Sequence, residues 1–482
     1  METPSWQTRL LIDGELVDGA GEPLAAQSPS TEEILAVVGT ATPGQVGAAT
    51  AAARRAFDTT NWPRDAQARR AAIDRLADLV DSHADELAAS IVHDLGAPLS
   101  AARPLHVEWA ASLLRWNARA AVRDRTIRMA PTLDPAPSTS VVRYVPAGVV
   151  AAITPYNYPL AMAASKLGAA LAAGCTVVLT PSPQTMLSTL LLARLVVEAE
   201  IPAGVVNVVV GGPDVPRALT ESPHVDRVTF TGSTGIGRSV MRQAASGLRG
   251  LVLELGGKAA AIVLPDAELD RVVEPIHLRY LRNSGQACQA PTRLLVHESK
   301  AEQFIAASRK VYDEVVVGDP WDERTFMGPV ISAAHRARIE SRVESALGEG
   351  ATVVAGGGRP ETGRGWYLNP TLLTGVGNDS RICQEEIFGP VAVVLPYRDI
   401  DEAVGIANDS DYGLAGAVWG TDRDRCFEVA SRIRAGTVIV NGGGPVRPDA
   451  PISGWKQSGL GREFGEEGIH AFLDSQHIQT AS

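Results

Sequence analysis

Two hydrophobic rhythms run along this chain. Over residues 64–95, Ile73, Leu76, Val80, Leu87 and Ile91 recur at helical spacing, and Gly96 and Pro98 punctuate the end of the run. This predicts one long amphipathic helix. From about 148 to 255 the rhythm shortens. The β-branched runs GVVAAIT, TVVLT, VVNVVV, RVTFT and LVLEL alternate with the helix-length stretches PLAMAASKLGAALAAG, STLLLARLVVEAE and STGIGRSVMRQAA. Strands alternating with helices predict an open parallel sheet covered by helices on both faces. After Glu254 the runs AAIVLP, RLLVHE, ATVVAGG, VAVVLPY and GTVIVN, with helices at 299–315 and 334–347, predict a second α/β unit. The stretch 123–147 is proline-rich and polar, and reads as an extended linker or a projecting hairpin.

A chain of 482 residues calls for two or three domains. Its net charge of −11 gives no reason to expect nucleic acid or an anionic membrane as partner. No apolar stretch reaches the roughly 20 residues that span a bilayer. The opening METPSWQTRLLIDGE lacks the basic and apolar regions of a secretion signal, so none is expected. Cys175, Cys288, Cys383 and Cys426 lie far apart, which argues against a disulfide framework or a zinc site and for a reducing cytoplasm. The histidines form no metal-ligand pair, and no metal is expected.

Candidate chemistry sits where strands end. Neither GxSxG nor GxxxxGK[ST] occurs, which removes two common hydrolase and NTPase signals. In FTGSTGIGR (230–238), backbone N–H groups at a strand-to-helix turn either face a pyrophosphate or close a tight turn. Glu254 in LVLELGGK ends an apolar strand, where desolvation raises a carboxyl toward general-base range unless a backbone N–H holds it. Asn157 in ITPYNYPL is either a helix N-cap or an amide aimed at an oxyanion. Cys288, in NSGQACQAPTR, is set among small polar residues rather than in an apolar run. It is either an unremarkable half-buried thiol or a nucleophile in an open cleft.

The order TPxN–P, FTGST, ELGGK and GQxC closely resembles the aldehyde dehydrogenase superfamily. EEIFGPV (385–391), NDSDYGLAGAV (408–418) and SGWKQSGLGREFG (453–465) extend the resemblance to roughly residues 10–480. It implies an aldehyde dehydrogenase-like α/β fold: a Rossmann-like cofactor domain from 1–122 and 144–255, and a second α/β catalytic domain at 256–442. An oligomerisation arm is expected from 123–143 and 466–482, with 443–465 returning toward the cofactor domain. The implied product is a dimer or a dimer of dimers.

The same resemblance assigns roles. Cys288 attacks the aldehyde carbon, the Asn157 side chain and the Cys288 N–H hold the oxyanion, and Glu254 activates the water that hydrolyses the thioester. Relatives that transfer the acyl group to coenzyme A generally lack this glutamate, so Glu254 points to a hydrolytic, acid-forming enzyme. Lys166 matches a supporting lysine near the asparagine. Glu386 and Phe388 match contacts to the nicotinamide ribose and ring, and Gly232 and Ser233 match a pyrophosphate contact. Thr154, Pro155, Tyr156, Thr180, Ser182 and Leu255 border these motifs and complete the expected cofactor site.

Two departures bear on specificity. Thr180 replaces a lysine that commonly reaches the adenosine ribose or a 2′-phosphate, and Pro183 stands where a glutamate often binds the 2′-hydroxyl. The cofactor is therefore NAD or NADP, with NAD favoured because no positive charge replaces the lysine. In the helix after Asn157, Tyr158 keeps one aromatic whereas Ala161 and Ser165 are small. This predicts a roomy apolar tunnel for a medium-chain or aromatic aldehyde. The alternatives are an anionic semialdehyde met by Arg282 or Arg293, and a catalytically silent relative.

Overall fold

The computed structural model describes residues 6–444 and 446–481. All five expected strands of the first set lie in one eight-stranded sheet. Its order is Glu15–Val17, Leu10–Ile12, Val206–Val208, Thr176–Thr180, Val149–Ile153, Arg227–Thr231, Gly250–Glu254 and Gly459–Leu460. The five central strands run parallel, and the additions at both edges are antiparallel. Every residue of Val149–Ile153 and Thr176–Thr180 is buried, as a parallel sheet covered on both faces requires. The chain leaves Val149–Ile153 toward one edge and returns to its other side with Arg227–Thr231, so a crevice opens at the carboxyl ends of these two strands.

The second set forms a seven-stranded sheet in the order Thr352–Gly356, Thr371–Thr374, Val391–Tyr397, Pro291–His297, Ala259–Val263, Ala415–Trp419 and Thr437–Val440. It is parallel except for the antiparallel edge strand Thr352–Gly356. Two of its strands escaped the hydrophobic pattern. Thr371–Thr374 has only four residues, and Ala415–Trp419 hides its strand character behind alanine and glycine.

The long helix expected over 64–95 is two helices, Ala66–Ser82 and Ala84–Leu95. His83 leaves the helical region (φ −103°, ψ 22°), and its ring nitrogen bonds to the Leu79 carbonyl. Asp85 and Glu86 then suit the positive end of a new helix. Gly96, in left-handed backbone at φ +76°, ends it as the sequence foretold. The 123–147 stretch is a hairpin: Ile127–Arg128 pairs with Ser138–Pro146, whose other edge carries Leu473–Ala481 in a nine-residue antiparallel register. Among the described residues no helix is long and apolar enough to cross a membrane.

The helix Leu187–Glu198, which flanks the crevice, is held at its start by a buried carboxyl. Asp94 is fully buried, and one of its oxygens accepts the Leu187 N–H at 3.0 Å. Burial holds the Asp94 carboxyl well above the usual range and so favours its protonated form in the native state. Its stabilising contribution is complete below the ordinary aspartate pKa of about 3.9 and erodes as pH rises toward the native value. Asp94→Asn is therefore expected to match the parent at pH 3.5 and exceed it at pH 8. Asp94→Leu should cost about 1–3 kcal/mol by orphaning the amide. Denaturant titration at both pH values checks this, and a larger loss for Asn at pH 8 would contradict it.

Candidate active site

The nucleophile loop is shaped by costly backbone. After the helix Leu269–Leu281, Asn283, Ser284 and Gly285 take φ values of +52°, +57° and +73°. Two non-glycine residues in this region cost on the order of 1 kcal/mol each unless their surroundings fix them. Here they are fixed. The Asn283 amide donates to the Asn157 carbonyl at 2.8 Å and to the Gln286 carbonyl at 3.3 Å. Ser284 donates to the Gly328 carbonyl at 2.8 Å. The Gln286 side chain donates to the Asn283 carbonyl at 3.1 Å and accepts the Ile331 N–H at 3.0 Å. Cys288 emerges from this turn half-buried, just before the strand Pro291–His297.

Asn157 resolves one of the two readings its sequence left open. Tyr158 occupies the N-cap of the helix Pro159–Ala173, and the Asn157 side chain plays no capping role. It crosses instead to the nucleophile loop, where its Nδ2 donates to the Gln286 carbonyl at 2.9 Å. An amide has two hydrogens, so one remains for an oxyanion beside Cys288.

Glu254 ends its strand only 6% exposed, and its Oε1 has no partner. Desolvation, reinforced by the nearby charge of Glu463, holds its carboxyl well above the usual range, with Lys166 opposing. Lys166 is itself buried. Its ammonium donates to Thr229 Oγ1 at 2.9 Å and closely to Glu463 Oε1, and Thr229 also bonds to Glu463 at 3.3 Å. Burial, with the charges of Glu386 and Glu254, pushes the Cys288 thiol up to about 12. In the nucleotide-free protein the sulfur is thus protonated at neutral pH and needs a base.

Residues expected around a dinucleotide gather at the crevice. The hydroxyls of Thr154, Thr180 and Thr231, on three adjacent strand ends, are buried without a partner, as is that of Tyr156. Such orphans are rare unless a ligand satisfies them, so these residues fit a polar cofactor. Pro155 and Ser182 are half-buried beside them. Gly232 follows the strand Arg227–Thr231, and Ser233 caps the helix Thr234–Ala245, accepting from Ile236 at 3.5 Å; its exposed first turn suits a pyrophosphate. Leu255 is buried and packs under Gly237 of that helix. Glu386 accepts the Gly257 N–H at 3.0 Å, and burial pushes its carboxyl up to about 7. Phe388, at φ +58°, sets its ring edge-to-face with Tyr156 at 5.8 Å between centroids, and its carbonyl accepts from His335 at 2.7 Å.

The substrate side departs from the sequence expectation. Ala161 and Ser165 are buried, and Met162, one turn from Tyr158 on the same helix, is half-buried. Tyr158 stacks on His106 at 4.8 Å and meets Trp109 edge-on at 6.0 Å, and Trp109 meets Phe464 at 5.7 Å. His106 belongs to a π-helical turn, Arg103–Glu108, of the kind that often marks functional sites. Burial lowers His106 to about 3, so it is neutral. Arg293 is not available to a substrate. It is 1% exposed and spends its guanidinium on the carbonyls of Lys258, Ile406 and Ala407 and on Asn378. Arg282 is exposed.

Glu463, Thr229, Asn283, His106 and Trp109 were missed in sequence. Glu463 and Asn283 lie inside quoted motifs, GLGREFG and NSGQAC, so their position was a usable signal. His106 carried none, because a π-turn has no hydrophobic period, and Trp109 opens the α-helix Trp109–Ala121 with no motif to mark it.

Comparison with known proteins gives concordant matches. A model described as the aldehyde dehydrogenase family matches residues 16–478. A geranial dehydrogenase of Castellaniella defragrans is 42% identical over 446 residues, covering 92% of each chain. An aldehyde dehydrogenase of Enchytraeus buchholzi is 39% identical over 476 residues, 98% of this chain and 95% of the relative. The NAD+ complex of an aldehyde dehydrogenase from Bacillus cereus superposes with a TM-score of 0.95 at 37% identity, covering 98% of this chain and 96% of that one. A mutant of aldehyde dehydrogenase C from Pseudomonas syringae, complexed with NAD+ and octanal, gives 0.94 at 38% identity, with coverage of 98% and 97%.

The turn before Cys288 yields a prediction. A Cβ on Gly285 would lie 2.2 Å from the Gly389 carbonyl group, in backbone that favours glycine. Gly285→Ala should therefore push the Cys288 loop away from the Glu386–Phe388 loop, at a cost of about 1–3 kcal/mol, and lower the chemical activity of the site more than tenfold. Thermal unfolding beside a rate assay checks this; a parent-like rate would show that the two loops do not depend on each other.

Proposed function

The chain belongs to the aldehyde dehydrogenase family and oxidises an aldehyde with a nicotinamide nucleotide; from that premise we propose that it does so through Cys288, Asn157 and Glu254, releasing a carboxylic acid. The observation that carries this reading is the side chain of Asn157 meeting the Cys288 loop at Gln286, with the desolvated Glu254 charge acting on the same sulfur.

Cys288 loses its proton to a base and its sulfur bonds to the aldehyde carbon. The carbonyl oxygen becomes an oxyanion held by the free Asn157 amide hydrogen and the Cys288 N–H, donors fixed before the charge develops. When bound, the nucleotide would accept the hydride that leaves the former aldehyde carbon; Glu386 and Phe388 would hold its nicotinamide end, Gly232 and Ser233 its pyrophosphate, and Thr154, Pro155, Tyr156, Thr180, Ser182 and Leu255 would surround it. A thioester remains on Cys288. Glu254 then takes a proton from water, whose oxygen attacks the thioester carbon; the acid leaves and the thiolate is restored. Lys166, bound to Glu463 and Thr229, supports Glu254 by offsetting the repulsion between the two carboxylates.

The eight-stranded sheet serves in this reading as the dinucleotide-binding domain and the seven-stranded sheet as the catalytic domain. The three-stranded arm of 123–143 and the tail pairs protomers, and the four free cysteines support a reducing cytoplasm. The wall of Tyr158, Trp109 and Met162 favours a medium-chain or aromatic apolar aldehyde. Octanal and geranial, named for two relatives, are of that kind. With Arg293 committed to carbonyls, an anionic semialdehyde has less to meet it.

The decisive experiment follows reduced nicotinamide over a panel of aldehydes. Cys288→Ala should abolish turnover. Glu254→Gln should retain a burst of about one reduced nucleotide per site and lose steady-state rate by about 10²–10⁴-fold. Glu254 works deprotonated and its carboxyl is raised, so the parent's rate should fall as pH drops through that raised value, with the Gln variant losing this limb. An unchanged steady-state rate in Glu254→Gln would sink the assignment. NAD should be preferred to NADP, and Thr180→Lys should shift kcat/KM toward NADP about tenfold, since a phosphate partner contributes on the order of 1–2 kcal/mol.

A further inference from the structure

We infer that Asn283 is a positioning residue for the oxyanion hole: its single amide, bonded to the carbonyls of Asn157 and Gln286, holds the oxyanion donor and the nucleophile loop in one geometry. This rests on the reading of Asn157 as the oxyanion donor.

Three observations carry it. The Asn283 Nδ2 is buried and reaches both the Asn157 carbonyl at 2.8 Å and the Gln286 carbonyl at 3.3 Å. The same Gln286 carbonyl accepts the Asn157 amide at 2.9 Å, which fixes the direction of that amide's second hydrogen. Gln286 returns a bond to the Asn283 carbonyl at 3.1 Å, which stiffens the turn locally, while the two bonds to Asn157 tie it to a segment more than a hundred residues away. The backbone supports the choice of residue. At φ +52° asparagine is among the few side chains tolerated. Without that amide the Asn157 carbonyl loses its donor, and the helix-start segment carrying Asn157 is free to shift against Cys288. A shift of a few tenths of an ångström matters, because an oxyanion donor acts only when aimed at the developing charge.

The test uses Asn283→Gly, which keeps the left-handed turn comfortable and removes only the amide. It is run alone, with Asn157→Ala, and as the double variant in the full-length enzyme. Expected are a tenfold or greater fall in kcat for Asn283→Gly, with KM for nucleotide within twofold. In the Asn157→Ala background the same change should cost less than twofold, because a residue acting through Asn157 has nothing left to position. Alkylation of Cys288 by iodoacetamide develops no oxyanion, so its rate should stay within twofold in Asn283→Gly. Equal losses in both backgrounds, a parallel fall in alkylation, or an unchanged kcat would each overturn the inference. If Asn283→Gly fails to fold, Asn283→Ala is carried through the same cycle against the same outcomes. A parent-like rate in Asn157→Ala would sink the oxyanion reading itself, and the positioning role with it.

Discussion

The active site depends on one contact between two sheets. The Asn157 side chain leaves the end of a strand in the eight-stranded sheet and donates to the Gln286 carbonyl, on the loop that enters the seven-stranded sheet. Each sheet is a rigid, two-sided core, and their strand ends cannot adjust separately. The loop between them absorbs the mismatch in three consecutive left-handed residues, and its bonds to Gly328 and Ile331 tie it down on the far side. Cysteine reactivity follows from this. A sulfur on a free loop would be solvated and unaimed, whereas here it is half-buried with its backbone N–H fixed.

Desolvation dominates the chemistry of the site. Cys288, Glu254 and Glu386 all have raised pKa values, and burial is the largest cause for each. Burial alone would leave a neutral, inert cluster. Lys166 prevents that: its ammonium bonds to Glu463 and draws Glu254 back toward ionisation. A buried pair of this kind contributes little net stability, but losing one partner leaves an unpaired charge and costs several kcal/mol. Its value here is electrostatic, keeping one carboxyl near the point where it can accept a proton.

Much of the fold was legible because parallel strands buried on both faces must be continuous apolar runs. Every such run of the first sheet was visible, and three of the helices between them followed from their length, whereas the eight-residue helix Asp214–Glu221 was too short to stand out. Short or glycine-bearing strands, Thr371–Thr374 and Ala415–Trp419, were not visible, since neither run is long or branched enough to stand out. The single helix expected over 64–95 split at His83, because a ring nitrogen bonded to a carbonyl within its own turn leaves no trace in hydrophobic spacing. In the site, each candidate residue read alone was ambiguous, and only the order of the motifs along the chain singled out Cys288, Glu254 and Asn157. The substrate wall was not legible: Ala161 and Ser165 looked like tunnel residues because their small size was read without their direction, and the structure turns them into the protein.

The sequence by itself determined the family, and through the ordered motifs it singled out Cys288, Glu254 and Asn157 as candidates, since a motif is a matter of residue type at a fixed local spacing. Only the tertiary structure decided that the Asn157 side chain bonds to Gln286 instead of capping its helix, that Arg293 is spent on carbonyls, that Glu463 partners Lys166, and that His106 and Trp109 back Tyr158. The reason is physical. A motif states what a residue is able to do, but hydrogen bonds and pKa values belong to pairs, and residues separated by 129 positions, as Asn157 and Gln286 are, become a pair only when two sheets meet.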